Sequence, residues 1–405
     1  SQQVIGGSAA DTITSAGGGI NLSTAAGTDT LNFTQAQLAA ATVDGGSEFD
    51  TVVITAASTA IVDADFTNFT TVEVLKLTGA STAVLGTEAQ QAGFSAIVTG
   101  DGNTDLTITD PGGGFPVTID ASAMDAADTL TIRGSGAITI SGLVAQLNSY
   151  ATGALTISTD ANATQTIRFE ADPTGTLTLG GAESIVLANT VDLSSLTLTG
   201  GSYSLTLDPN ASVATTVAQH NTATSITANG NSETITFTDA GIATGNANVE
   251  NYILSSAGSN TLTLGATAQN VTGGSDADTI NMINGATGTL DLGAGANIIN
   301  IADTFNISAA TIAATSGTYN LNFTDAISSI TVSAAQLKGA NDVTASSPGT
   351  KTVSLADALT SYTVDADIDI IVYNPQTIQT WNNDRLRDHE FTQFAKEGAL
   401  FVDAV

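Results

Sequence analysis

The sequence predicts an all-β fold, namely an elongated parallel β-solenoid or β-roll with half-coils of roughly nine residues and few short helices. Three observations support this prediction: aliphatic residues recur every nine positions, threonine alternates with aliphatic residues in short runs, and turn-forming residues follow each run. Such alternation is typical of strands, and runs that end in Gly, Asn, Asp or Ser are typical of strands joined by tight turns. A stack of strand-and-turn units needs a fixed repeat, which a globular core does not.

The clearest part of this repeat lies between residues 217 and 307. Two rungs of the nine-residue grid are the β-branched residues Thr244 and Thr289, and the other rungs are aliphatic. The aliphatic members are Val217, Ile226, Ile235, Ile253, Leu262, Val271, Ile280, Ile298 and Ile307. We expect the equivalent side chains of successive units to stack into one continuous core.

The same period is present near the start of the sequence. Residues 6–32 align as three nonapeptides, which place Asp11 and Asp29 in one column, eighteen residues apart. Shorter aliphatic runs with this spacing are Ile13, Leu22 and Leu31, and then Leu187, Leu196 and Leu205. The first coils are therefore predicted to be built in the same way as the later ones.

These patterns divide the chain into three parts. Residues 1–210 are predicted to be an N-terminal solenoid portion with Gly-Gly-Ser-x-x-Asp turns, and residues 211–365 a regular β-roll on the nine-residue ladder. The composition changes near residue 366, so residues 366–405 are predicted to be a C-terminal cap or an export and assembly segment. Short helices are predicted where Ala and Gln are frequent, at 34–41, 86–94 and 334–340.

The charge of the chain is extreme, because 39 acidic residues stand against 8 basic ones, for a formal net charge of −31. Phosphate groups would be repelled, so neither nucleic acid nor an anionic membrane is an expected partner. No apolar run reaches the roughly 18 residues that span a bilayer, so no membrane insertion is expected. The chain has no cysteine, which excludes disulfides and thiolate metal sites.

One motif, Gly-Gly-Ser-x-x-Asp-Thr followed by an aliphatic residue, occurs three times and starts at Gly6, Gly45 and Gly273. The glycines permit a tight turn, and carbonyl oxygens of one turn with a carboxylate of the next are ligands that Ca²⁺ accepts. The alternative is that each Asp only caps its own turn. The candidate metal ligands are Gly6, Ser8, Asp11, Asp29, Gly45, Ser47, Asp50, Gly273, Ser275, Asp276 and Asp278. Secondary candidates are Asp101, Asp105, Asp125 and Asp128.

These copies resemble the glycine- and aspartate-rich nonapeptide of RTX proteins, GGxGxDxUx. The fourth position, which is Gly in that family, is Ala9, Glu48 and Asp276 in the three copies. The resemblance implies a parallel β-roll with Ca²⁺ between stacked turns, and secretion by a type I machine. By the family's ligand pattern, the ions would be held by Asp11, Asp29, Asp50 and Asp278 with the carbonyls of Gly6, Gly45 and Gly273.

A second resemblance concerns the Thr-, Ala- and Gly-rich strands that follow an acidic residue, as in 66–79, 181–187 and 246–254. Together with the Gly-Gly-Ser turns, these segments resemble type I-secreted bacterial surface-layer (S-layer) proteins. The resemblance implies an extracellular structural protein on the bacterial cell surface, which self-assembles into a lattice held by Ca²⁺. A filament is the other form of assembly that head-to-tail stacking predicts, and cell-surface polysaccharide is a further candidate partner.

The sequence offers little for catalysis, so we predict that the chain is not an enzyme. It contains two histidines, His220 and His389, and has neither a G-x-S-x-G elbow nor an H-E-x-x-H motif. Two alternatives to the structural protein remain open. One is a secreted Ca²⁺-dependent adhesin or glycan-binding fibre module. The other is a polysaccharide-degrading β-helix enzyme, for which Arg133 or Arg168 would have to hold the anionic substrate.

Overall fold

The computed structural model describes residues 2–17, 19–110, 115, 117–143, 145–161, 164–357 and 367–373. The chain is an all-β parallel β-solenoid of about 17 turns with few short helices, which confirms the predicted fold class. It divides into two compact units, Ser1–Asp208 with Thr222–Ile226, and Pro209–Asn221 with Thr227–Val405. Each unit is built by parallel pairing of strands from successive coils, so equivalent residues of neighbouring coils lie side by side.

The first unit contains three parallel ladders. Its strands are β1 Gln2–Ile5, β2 Thr12–Thr14, β3 Ile20–Ser23, β4 Thr30–Phe33, β5 Thr42–Asp44, β6 Thr51–Ile54, β7 Ser58–Ile61, β8 Phe69–Thr70, β9 Val74–Leu77, β10 Ser81–Leu85, β11 Ala96–Val98, β12 Thr104–Ile108, β13 Val117–Asp120, β14 Thr129–Gly134, β15 Ile138–Leu143, β16 Gln146–Ala151, β17 Ala154–Thr159, β18 Thr166–Phe169, β19 Thr174–Leu187 and β20 Leu196–Leu207. The ladders run β1-β3-β5-β8, β2-β4-β6-β9-β11-β13-β15-β17-β19-β20 and β7-β10-β12-β14-β16-β18-β19-β20. The long strands β19 and β20 contribute to two ladders, because each continues through a corner at which the register shifts.

The second unit repeats this construction with three further ladders. The remaining strands are β21 Ser212–Thr215, β22 Ser225–Ala228, β23 Thr234–Phe237, β24 Ile242–Thr244, β25 Asn251–Ile253, β26 Thr261–Thr263, β27 Asn270–Thr272, β28 Thr279–Asn281, β29 Thr289–Asp291, β30 Ala296–Ile301, β31 Thr311–Ala313, β32 Thr318–Phe323, β33 Ser328–Val332, β34 Asp342–Ala345, β35 Lys351–Leu355 and β36 Ile370–Tyr373. The ladders are β21-β23-β25-β27-β29-β31, β24-β26-β28-β30-β32-β34 and β33-β35-β36. Strand β36 thus extends the last ladder, and residues 374–405 of the predicted C-terminal segment lie outside the described residues.

The nine-residue grid is only partly the core of the second unit. Ile235 pairs with Tyr252, a step of 17 residues, rather than with Ile253. Ile253 is 37% exposed, whereas Tyr252 is 1% exposed. The grid slips in the same way at Ile298, which is 38% exposed beside the fully buried Ile299. Because side chains alternate between the two faces of a strand, a turn that is one residue shorter or longer moves the neighbouring residue into the core.

The same slip explains the two rungs that the grid skipped. Thr244 and Thr289 point outward, and the residues that face the core are Ala243 and Leu290. Val217, the first rung, lies in a helix rather than a strand. The step between stacked partners varies from 16 residues between Leu143 and Thr159 to 26 residues between Val43 and Phe69, so the corners absorb the differences in coil length.

Short helices occupy some of these corners. Within the described residues they are α1 Gln35–Leu38, a 3₁₀ helix at Asp63–Phe66, α2 Thr87–Ala92, α3 Val217–Thr222 and α4 Ala334–Gly339. The three predicted helices are confirmed as α1, α2 and α4. Helix α4 begins with a reciprocal cap, in which Gln336 N–H donates to Ser333 Oγ and Ser333 N–H donates to Gln336 Oε1.

Candidate cation sites at the coil corners

The first two Gly-Gly-Ser copies lie at the same corner of the solenoid, two coils apart, with one coil between them. Their aspartates precede β2 and β6, and Asp29 precedes β4 between them. We call the stacked residues Asp11, Asp29, Asp50 and Glu73 the Asp column. The backbone N–H of each aspartate in this column donates to the carboxylate of the following coil: Asp11 to Asp29 Oδ1 (2.7 Å), Asp29 to Asp50 Oδ1 (2.8 Å) and Asp50 to Glu73 Oε2 (2.8 Å). The sequence did not single out Glu73, although it precedes Leu75 by the same two residues that separate Asp11 from Ile13.

Two carboxylates of the Asp column are fully buried and only half satisfied. Asp29 and Asp50 have no exposed surface, and the Oδ2 atom of each has no hydrogen-bond partner. A buried polar atom without a partner costs free energy, and a buried charge costs more. Burial raises the pKa of Asp50 to about 6, and the negative charges of Asp29, Glu73 and Glu48 also raise it. The hydrogen bond from the N–H of Asp29 lowers the pKa but does not offset these effects. This corner therefore lacks a positive partner.

The glycines of the motif leave room for these carboxylates. A Cβ atom on Gly45 would lie 2.0 Å from the Thr71 carbonyl oxygen and 2.7 Å from Asp50 Oδ2. A Cβ atom on Gly6 would lie 2.8 Å from both Asp11 Oδ2 and the Thr24 carbonyl oxygen. At both glycines, a carboxylate oxygen and a backbone carbonyl oxygen of the next coil thus approach the same point, which only glycine leaves open.

The serines of these two copies do not face that point. Ser47 Oγ donates to Glu48 Oε2 (2.8 Å), and Ser8 lies exposed in its turn. Glu48 Oε2 also accepts from the N–H of Gly27 (2.8 Å). The serine hydroxyls therefore shape the outer turn, and the candidate ligands that remain are carboxylate and carbonyl oxygens.

The third Gly-Gly-Ser copy lies in the second unit, separate from the other two along the chain and in its contacts. Asp278 is buried, and both of its oxygens are satisfied: Oδ1 accepts from Asn260 N–H (2.8 Å) and Oδ2 from Gly274 N–H (3.0 Å). The residues stacked on it, Asn260 and Asn297, carry amides instead of carboxylates. Asp276 is half-buried, with Ser275 Oγ 3.5 Å from its Oδ2. Asp278 in this copy is therefore paired without an ion, unlike Asp29 and Asp50.

Three of the four secondary candidates cluster in exposed turns. Asp128 Oδ2 accepts from the N–H groups of Asp125 (2.8 Å) and Gly102 (3.0 Å), and these bonds lower the pKa of Asp128. The charges of Asp125 and Asp128 raise the pKa of Asp101. Asp105 is separate and pairs with Arg133 (3.3 Å). The cluster is satisfied by turn N–H groups and carries no buried unpaired oxygen.

The Asp column is one instance of a wider rule. We use the name corner position for the residue two places before a buried strand residue that faces the core. Buried polar or charged residues at this position are Asp29, Asp50, Ser81, Thr104, Ser149, Gln165, Glu183, Glu233, Asn260, Gln269, Asp278, Asn297, Ser328 and Lys351. Among the described residues, eight buried side-chain atoms lack a hydrogen-bond partner, and seven of them belong to corner positions. The unsatisfied acceptors are therefore concentrated at one place in the coil.

The fit of Ca²⁺ to the Asp29–Asp50 corner follows from this donor set. No group of three or more acidic or histidine side chains is assembled as a metal centre in the part of the chain that the structure describes. An ion here would take one oxygen from each carboxylate and complete its shell of about six to eight oxygens with turn carbonyls and water. Such mixed and irregular oxygen shells suit Ca²⁺ better than Mg²⁺, which requires near-octahedral geometry.

The residues considered for catalysis are engaged in packing and pairing. His220 is buried, its Nε2 lies 3.2 Å from Tyr252 Oη, and burial lowers its pKa. Arg168 pairs with Glu170 and with both oxygens of Asp208. Arg133 is more open, and its guanidinium carbon lies 4.2 Å from the centre of the Tyr150 ring. His389 lies outside the described residues.

The described part of the chain contains no helix that is both long enough and apolar enough to cross a membrane. In comparisons with protein families, with curated proteins and with solved structures, nothing matches this chain.

Proposed function

We propose that this chain is a structural protein that binds Ca²⁺ at coil corners and assembles with copies of itself outside the cell, as a surface layer or a filament. The observation that carries the proposal is the pair Asp29 and Asp50, two fully buried carboxylates on neighbouring coils, each with an unpartnered oxygen. An ion that binds the folded state alone stabilises it by mass action. Ca²⁺ at this corner would therefore stabilise the first coils of the solenoid.

Assembly follows from the parallel construction and from the charge. A strand at the end of a solenoid presents unpaired N–H and C=O groups, and contacts made head to tail propagate without closing. The net charge of −31 opposes contact between copies, and divalent cations between acidic surfaces would offset that repulsion. Type I secretion and a place on a bacterial cell surface belong to the same proposal, and no catalytic activity is assigned.

Electron microscopy of the purified chain tests this proposal. We expect ordered sheets or filaments in negative stain with millimolar Ca²⁺, and dispersed particles after EGTA. The matched variant is D29N/D50N, which keeps the two oxygens that accept backbone N–H groups and removes both charges. Its assembly should no longer depend on Ca²⁺. Dispersed particles under both conditions would contradict the assembly, and equal assembly in EGTA would contradict the role of the ion.

A Ca²⁺-dependent adhesin or glycan-binding module is the second candidate, and one outward-facing pair favours it. Tyr150 is exposed beside Arg133, in neighbouring strands β14 and β16. Aromatic rings and guanidinium groups are common contacts for sugars, since both offer flat faces and Arg offers several donors. Binding of cell-surface polysaccharide that is lost in Y150A, with unchanged folding, would support this candidate over the lattice.

A further inference from the structure

Nitrogen-bearing side chains at corner positions make a consistent set of contacts. Gln269 Nε2 donates to the carbonyl oxygens of Asn246 (2.6 Å) and Val249 (2.9 Å), in the turn of the preceding coil. Asn297 Nδ2 donates to the carbonyl oxygens of Ala294 (2.9 Å) and Thr318 (3.0 Å). The turn carbonyls at these corners therefore have a donor that the chain itself supplies.

Lys351 shows that a corner accepts a positive charge. Its side chain is buried, and Nζ donates to the carbonyl oxygens of Asp325 (2.9 Å) and Ala326 (2.8 Å). Its backbone N–H donates to Asp369 Oδ2 (2.7 Å), as the corner N–H groups of the Asp column do. The side-chain nitrogen thus contacts the turn carbonyls of the preceding coil, while the backbone N–H of the same residue contacts the carboxylate of the next coil.

Glu233 and Glu250 stack directly below Gln269 in the same ladder and carry no such donor. The register β23-β25-β27 places the three residues in one column. Glu233 is fully buried, its Oε1 accepts from Asn210 N–H (3.0 Å), and its Oε2 has no partner. Glu250 Oε2 accepts from Glu233 N–H (3.1 Å). Two neighbouring carboxylates therefore meet at a corner with one unpaired buried oxygen.

The surroundings of this pair oppose two negative charges. Burial, and then the adjacent Glu233 carboxylate, raise the pKa of Glu250. A Cβ atom on Gly230 would lie 2.1 Å from Glu233 Oε1, so the carboxylate packs tightly against its own turn. Gln269 reaches the turn of the preceding coil at Asn246 and Val249. The same register places Glu250 beside the turn 229–232 of its own preceding coil. Because Glu250 has no side-chain N–H, it donates no hydrogen bond of this kind to the carbonyls of that turn.

We propose that Glu233 and Glu250 form a buried site for a divalent cation, which takes the place that the side-chain nitrogens of Gln269 and Lys351 fill at their own corners. The ligands are one or two oxygens from each glutamate, carbonyls of the turn 229–232, and water. Ca²⁺ is the ion that such an irregular oxygen set favours. The site contains no Gly-Gly-Ser motif, lies in the second unit, and depends neither on Asp29 and Asp50 nor on assembly.

Amide hydrogen exchange measured on the D29N/D50N background tests this site alone. We expect Ca²⁺, relative to EGTA at neutral pH, to slow exchange at 210 and at 230–251. With Ca²⁺ at about 100 times its Kd, local opening should be suppressed about 100-fold. The E250Q variant, added to the same background, should be protected in EGTA and should not respond to Ca²⁺, because the amide supplies the missing donor.

The converse substitution provides the matched control. Q269E removes the donor to Asn246 and Val249, so exchange in that turn should become faster in EGTA and recover with Ca²⁺. Protection factors at 230–251, corrected for the intrinsic pH dependence of amide exchange, that ignore Ca²⁺ but increase as the pH falls would show that the two glutamates share a proton, and they would overturn the proposal. Equal responses of the background and its E250Q derivative to Ca²⁺ would also overturn it.

Discussion

At the scale of single residues, atoms at the coil corners pack so closely that some positions accept no side chain. Gly45 lies against the Thr71 carbonyl and Asp50 Oδ2, so its lack of a side chain is a steric requirement. Asp29 and Asp50 accept backbone N–H groups through one oxygen and leave the other unpaired. One side of each carboxylate thus fixes the register of the coils, and the other side is free for a cation.

The G45A variant tests the steric part of this account. The added methyl group would overlap the Thr71 carbonyl, so we expect a loss of about 1–3 kcal/mol in the free energy of unfolding. G17A is the control, because nothing lies within 4 Å of a Cβ atom at Gly17. Urea denaturation in EGTA measures both variants, and equal stability of the two would contradict the packing at this corner.

The pH dependence of stability tests the electrostatic part. The pKa of Asp50 rises from its usual value of 3.8 to about 6 in the folded chain. The folded state therefore binds this proton more tightly than the unfolded state, and its contribution is fully present below about 3.8 and lost as the pH rises through about 6. In EGTA, the D50N variant should lose this part of the pH dependence of the free energy of unfolding. Identical slopes for D50N and the parent chain would contradict the raised pKa.

The motif copies could be found from the sequence because glycine pairs and aspartates are rare signals with a known turn chemistry. Whether the aspartate of each copy is satisfied by hydrogen bonds could not be predicted from the sequence. Asp29 and Asp278 occupy the same place in the repeat, yet Asp278 stacks on the amides of Asn260 and Asn297, which satisfy it without an ion. The partner is set by the residue one coil away, and coil length varies too much for that residue to be identified from spacing alone.

At the scale of strands, the fold tolerates coils of different length because only two or three residues per strand must face inward. Strand β30 illustrates this: Ile299 and Ile301 are buried, and Ile298 between Asn297 and Ile299 points outward. Outward positions are also organised, since Asn300 Nδ2 donates to Asn281 Oδ1 (2.8 Å) and Asn322 Nδ2 donates to Asn300 Oδ1 (2.7 Å). The side chains of successive coils thus form continuous columns on both faces.

Adjacent substitutions in β30 test the register directly. We expect I299A to lower the free energy of unfolding by about 2–5 kcal/mol, because it empties a core position. We expect I298A to change it by no more than about 0.5 kcal/mol, because the side chain is largely outside the core. Thermal or urea unfolding of both variants gives the comparison. A larger loss of stability in I298A than in I299A would support the uniform nine-residue grid and contradict the structure.

The class of the fold was predictable at this scale, and its register was not. Alternating threonine and aliphatic residues indicate strands, the nine-residue repeat indicates that these strands stack in parallel, and the Ala- and Gln-rich segments indicate three of the short helices. The grid failed at Ile253 and Ile298 because each has a large hydrophobic neighbour on the opposite face of its strand, Tyr252 and Ile299, and that neighbour is the one in the core. Hydrophobicity alone does not distinguish Ile298 from Ile299, and only the pairing with Ile280 does so.

At the scale of the whole molecule, the excess of 39 acidic over 8 basic residues opposes the compact state. Few of these acids have a basic partner within the described residues: the ion pairs there involve Arg133 and Arg168. Self-repulsion of surface charge is screened by salt, with a Debye length that falls from about 10 Å at 0.1 M to about 3 Å at 1 M. We therefore expect cations to stabilise the chain in two ways, by the proposed binding at corners and by general screening.

Added NaCl separates these two effects. In EGTA, we expect the thermal midpoint of unfolding to rise steadily as NaCl is increased, because screening relieves the net charge. The D29N/D50N variant should show the same trend, since screening does not need the corner carboxylates. A midpoint that is insensitive to NaCl in both proteins would contradict the role of general repulsion, and it would leave corner binding as the sole effect of cations.

The most direct test of the central claim is a crystal structure of the chain grown with Ca²⁺, with anomalous differences measured at a long wavelength. The account predicts an anomalous peak beside the unpaired Oδ2 atoms of Asp29 and Asp50, and none beside Asp278, whose oxygens are both paired. A map without a peak at the Asp29–Asp50 corner, with nitrogen or hydroxyl donors filling that place instead, would contradict it.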